Sequence, residues 1–158
     1  MDVAERHNVG KSVWDILFGL QLGVIGGVVM LAWFALVCPI VGKPWWLIPN
    51  LFASHFYNSR EVYLGPGIVT IVGAALQIVM SGIVGCLNGL ATPGGRLSGL
   101  GAAFAWYTFS ILFLWKRIAP LMLISAIQPI LWTGYFLFGS ALGWHRRLVK
   151  VRRASLAG

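Results

Sequence analysis

Residues 16–42 read ILFGLQLGVIGGVVMLAWFALVCPIVG, with no Asp, Glu, Lys or Arg. A helix needs roughly 20 apolar residues to cross a hydrocarbon core of about 30 Å, and this run exceeds that length. Three further charge-free windows follow, at 62–95, 97–115 and 118–145. None alternates polar and apolar residues with period two. In lipid each backbone N–H and C=O must be satisfied within its own segment, so helices rather than barrel strands are predicted. Spans are expected near 13–40, 66–90, 97–115 and 119–143. The fold class that follows is an all-α integral membrane protein, an antiparallel bundle of four transmembrane helices with a short interfacial helix in its first loop.

Composition points the same way. Apolar residues make up 58% of the 158 residues and charged ones 10%, against about 25% charged in soluble domains. So few charges cannot cover the surface of a water-soluble globule of this size. Most soluble enzyme classes are thereby excluded. The first apolar run is longer than the core of a signal peptide and no small-x-small cleavage site closes it, so the span is expected to stay in the mature protein. Val37 before Cys38 argues against a lipoprotein box.

Orientation is read from Lys and Arg in the connections. Arg6, Lys11, Arg96, Arg146, Arg147, Lys150, Arg152 and Arg153 collect on one side, and Lys43, Arg60, Lys116 and Arg117 on the other. The richer side is expected to be cytoplasmic and to hold both termini, in a bacterial inner membrane. The organisation expected is a cytoplasmic tail at 1–12, a transmembrane domain at 13–144 and a basic cytoplasmic tail at 145–158. That tail accounts for most of the +8 net charge. Its five cations are expected to lie against anionic headgroups, at about 1 kcal/mol each near the surface. Nucleic acid is not an expected partner, since a short tail is no folded basic surface.

The connections differ in length. Ala91-Thr92-Pro93-Gly94-Gly95 is a tight turn, and Lys116 to Ala119 is shorter still. Short turns predict that the second, third and fourth spans are antiparallel neighbours. The extracytoplasmic first loop, 41–65, is long and carries Trp45, Trp46, Phe52, His55, Phe56 and Tyr57. Asn50 is expected to cap a helix over 51–57 whose Leu51, Phe52, His55 and Phe56 share a face at the outer interface. The plainest role for these aromatics is an anchoring belt; a ligand lid or a docking surface is the alternative.

Small and polar residues fall in stripes. Gly19, Gly23 and Gly27, with Gly26 alongside, form a glycine zipper on the first span, in one sector with Asp15 and Met30. Thr70, Ala74, Gln77, Ser81, Gly85 and Asn88 form a stripe on the second span. Ser125, Gln128, Trp132, Tyr135, Gly139 and Gly143 form one on the fourth. Polar groups facing lipid are costly, so both stripes are expected to face the bundle interior, with contacts between Asp15 and Asn88 and between Gln77 and Gln128. Pro129 is expected to kink the fourth span, with Ser125 near the freed carbonyl.

No reaction is named by these residues. His7, His55 and His145 share no helical face, and Cys38 and Cys86 form no C-x-x-C pair, so no catalytic residue, metal site or cofactor is expected. Gly10-Lys11-Ser12 lacks the first glycine of a phosphate-binding loop, and Arg152-Arg153-Ala154-Ser155 is a pattern that basic tails produce by chance. Three functions fit. The first is a structural or accessory subunit that packs with itself or with a larger membrane complex. The second is a small oligomeric transporter or channel whose path is lined by Gln77, Gln128 and Asn88. The third is a binder of a lipid, quinone or other apolar ligand under the first loop.

Overall fold

The computed structural model describes residues 3–91, 96–116 and 128–144. Every regular element among them is helical. α1 runs over Val3–Ile40, α2 over Leu47–Phe52 and α3 over Ser59–Tyr63, with a 3-10 turn at Ala53–His55 between the last two. α4 spans Ile68–Ala91. α5 spans Arg96–Phe109 and widens into a π turn at Ser110–Trp115. α6 spans Gln128–Leu142. Two stretches, Val13–Ile40 and Ile68–Ala91, are long and apolar enough to cross a membrane, and Leu97–Phe113 is a shorter apolar helix. α1 starts at Val3, so helix takes up most of the segment expected as an N-terminal tail.

α1 ends where its sequence lets it. Gly42 adopts φ +71°, which a side chain disfavours. The Lys43 N–H then donates to the Cys38 carbonyl at 2.8 Å and the Gly42 N–H to Pro39 at 3.1 Å, the paired bonds of a glycine-terminated helix.

α1 is the central helix and packs on both α4 and α6, while α5 packs against α6. Partners run in opposite order along each pair. Gly19 meets Gly85 and Gly89, Gly23 meets Ser81 and Gly82, and Gly27 meets Ser81 and Ile78. Toward α6, Gly26 receives the Phe138 ring, and Gly134 in turn receives the Phe34 ring. Gly99 of α5 lies against Gly139 and Gly143. Of the expected row, α5 and α6 are neighbours, but the α4–α5 pairing is corrected, because α4 packs on α1 instead. α4 meets α5 only slightly, with a bond from Ser98 to Asn88 near the connection. A short turn fixes where two helices begin, but small-residue faces decide what they pack on.

Large apolar side chains cover the outside of every long helix. Ile25 and Leu36 on α1, Ile71 and Leu87 on α4, Phe104 on α5 and Phe136 on α6 are all exposed.

Candidate functional site

Three groups of buried and partly buried polar side chains stand out, apart from the Asn88–Ser98 pair. Gln77 lies between α4 and α1, where its amide nitrogen donates to Met30 Sδ and to Ser81 Oγ, both at 3.4 Å. Gln128 lies between α6 and α5, where its Oε1 accepts from the Tyr107 hydroxyl at 2.9 Å. The expected Gln77–Gln128 contact is therefore corrected. Each glutamine does sit at a helix interface, but at different ones: Gln77 bonds to Met30 of α1 and Ser81 of its own helix, and Gln128 to Tyr107 of α5.

Around Gln128 the α5–α6 interface is aromatic and hydroxylic. Tyr107 and Tyr135 meet edge to face at 5.1 Å, and Tyr107 and Trp132 lie tilted at 4.4 Å. The buried Tyr135 hydroxyl reaches Ser110 Oγ at 3.5 Å. Ser110 in turn donates to the Trp106 carbonyl at 2.8 Å, the acceptor its own N–H would use in an α-helix, and the ladder widens to the π turn from that residue. Trp132 does not follow the inward stripe expected for it: the residue is 46% exposed. It walls two open apolar grooves. One, of about 420 Å³, lies among Trp33, Trp132, Thr133, Phe136 and Leu137, and the other, of about 200 Å³, runs past Phe104, Tyr107 and Tyr135. Trp33 is held there by its indole N–H, which donates to Thr133 Oγ1 at 2.9 Å.

The third group anchors the first loop. Asn50 is fully buried in α2 and is not a cap, contrary to expectation. Its Nδ2 donates to the carbonyls of Val62 at 2.9 Å and Gly65 at 3.0 Å, and its Oδ1 accepts from Thr70 Oγ1 at 2.6 Å. One amide thus ties α2, α3 and the start of α4 together. The cap is Asn58, whose Oδ1 accepts from the Glu61 N–H at 3.0 Å while Glu61 Oε2 accepts from the Asn58 N–H at 3.1 Å. Asn-x-x-Glu is the capping-box spacing, so this start was legible in the sequence.

The expected interfacial helix over 51–57 is likewise corrected. The helix is Leu47–Phe52, it is buried over Leu47–Leu51, and Pro49 packs against Gly73 of α4. Trp46, Phe52 and Tyr57 are partly buried against the core, whereas Trp45, His55 and Phe56 are exposed, with the His55 and Phe56 rings 5.2 Å apart.

The remaining candidates divide between the interfaces. Gly19, Gly23, Gly27, Ser81 and Gly85 are buried between α1 and α4, Gly26 between α1 and α6, and Gly139 and Gly143 between α5 and α6. Asp15 is partly buried with its carbonyl against Gly89, while Asn88 Oδ1 accepts from Ser98 at 3.2 Å. Ser125 and its place in the expected kink lie outside the described residues, as do Arg146, Arg147, Lys150, Arg152 and Arg153. Cys38 is buried and Cys86 partly buried, and both are free thiols. No group of three or more His, Cys, Asp or Glu side chains converges on a metal position among the described residues.

No family model, curated protein or solved structure matches this chain.

Proposed function

We propose that this is a four-span protein of a bacterial inner membrane, an antiparallel bundle with both termini in the cytoplasm, that serves as a structural or accessory subunit of a membrane assembly. One observation carries the reading. The polar side chains that could line a path are divided between two helix interfaces, Gln77 between α4 and α1 and Gln128 between α6 and α5, and each is taken up in helix contact: Gln77 by Met30 and Ser81, Gln128 by Tyr107. That division weighs against a transporter lined by Gln77, Gln128 and Asn88. Meanwhile the apolar outer surface and the small-residue stripes suit a protein whose task is packing.

The grooves beside Trp132 favour a second reading, an apolar-ligand binder whose site lies on α6 rather than under the first loop. Purification in mild detergent followed by native mass spectrometry tests both. A dimer, higher oligomer or complex with other proteins is the expected result. A monomer carrying a stoichiometric lipid or quinone would favour the binder, and a bare monomer would defeat the subunit role.

A further inference from the structure

We infer that the outer face of α1 is where two copies of this chain pair side by side in the membrane, joined at Gln21. The inference rests on the membrane reading proposed above and supplies the partner for it. Gln21, Ile25, Val28 and Ala32 all lie on the side of α1 turned away from α4 and α6, and all are exposed. Their intervals are four, three and four residues, and Phe18 and Trp14 continue the series toward the N-terminus. Such alternation averages 3.5 residues, the period at which two helices stay in contact along a left-handed supercoil. The chain's own packing uses the opposite face, with Gly19, Gly23, Gly26 and Gly27.

Gln21 is the polar member of this seam. Gly19 faces Gly85 and Gly89, and Gly23 faces Ser81 and Gly82, so Gln21 lies near the level of Gly85. Gly85 precedes the end of α4 at Ala91 by six residues, or about 9 Å along the helix. The Gln21 side-chain amide makes no hydrogen bond among the described residues. A primary amide facing acyl chains at that depth is costly, and transmembrane helices relieve the cost by bonding such side chains across an interface.

The occupant follows from symmetry and hydrogen-bond complementarity. Copies of one chain insert in the same orientation, so their two-fold axis is normal to the membrane and each residue faces its counterpart at equal depth. An amide is both donor and acceptor, so two Gln21 side chains complete each other, whereas a different protein would have to bring a matching polar group to the same level. Ala32, one turn beyond Val28, lets the helices approach closely on the loop side.

The test is disulfide cross-linking of the full chain in native membranes, with Cys38→Ala and Cys86→Ala removing the native thiols. Ile25→Cys and Val28→Cys probe the seam. Ile83→Cys on α4 and Phe136→Cys on α6 are exposed positions off it. Oxidation is expected to give covalent dimers at the two seam positions and little at the others. Adding Gln21→Leu is expected to lower the dimerisation constant about eightfold, the loss of two interhelical amide bonds, and Gln21→Asn to restore much of it. Dimers as abundant at Ile83→Cys or Phe136→Cys, or no dimer at any position, would overturn the proposal, as would undiminished dimers in Gln21→Leu. A seam cysteine caught on a different protein overturns the paired copy but leaves the subunit role standing. Release of the chain from membranes by alkaline carbonate would instead defeat the membrane reading itself.

Discussion

Glycine in this chain means different things at different positions, and only the structure separates them. A Cβ added at Gly85 would meet Gly23 Cα at 2.8 Å and its N at 2.9 Å, backbone that cannot swing aside, whereas at Gly101 it would meet nothing within 4 Å. Gly85→Ala is therefore expected to cost about 1–3 kcal/mol through forced separation of α1 and α4. Gly101→Ala is expected to be neutral or to gain up to about 1 kcal/mol from helix propensity. Unfolding of both variants in mixed detergent micelles checks the pair; equal effects would refute the close approach. Asn50→Ala strands two buried carbonyls and the Thr70 hydroxyl at once and is expected to cost about 2 kcal/mol or more. Spacing alone placed Gly19, Gly23 and Gly27 on one side of a helix, because periodicity is local. It could not place Asn50, whose partners Val62, Gly65 and Thr70 are distant in sequence and so invisible to any helical pattern.

At the scale of elements, the long apolar helices were the legible part and the first loop was not. The observed bounds of α4, Ile68–Ala91, differ from the charge-free estimate by only one or two residues because Gly65-Pro66-Gly67 and Thr92-Pro93 bracket it. The loop was misread because Asn50 after Pro49 looks like a cap, while the better signal, Asn58 with Glu61, lies beyond the aromatic cluster. Asn58→Ala is expected to destabilise α3 by about 1 kcal/mol, and Asn58→Asp to be nearly neutral. Amide exchange at residues 61–63 reads the difference, and equal protection in the two variants would count against the capping box. The π turn had no sequence signal beyond Ser110 itself. Ser110→Ala frees the Trp106 carbonyl and is expected to return the segment to α-helical spacing, visible as shifted backbone resonances of residues 110–115.

For the molecule as a whole, the charge count led to an orientation that reporters can examine directly. With the native cysteines replaced, Phe56→Cys is expected to react with a membrane-impermeant maleimide added outside intact cells, and Trp144→Cys only after the membrane is opened. The reverse pattern would invert the topology. That α5 neighbours α6 was legible, but that α1 takes both α4 and α6 was not, because a turn of a few residues constrains ends and leaves the flanks free to choose. The central place of α1 has a consequence for biogenesis. On the membrane reading proposed above, α1 meets α4 as soon as that helix is inserted, and the two can seat their glycines at once. α5 arrives next with almost nothing to grip, since its packing surface is α6, which the ribosome has yet to make. A nascent chain stalled between them would hold one finished hairpin and one helix adrift in lipid, the state in which a membrane quality-control protease would find its cut.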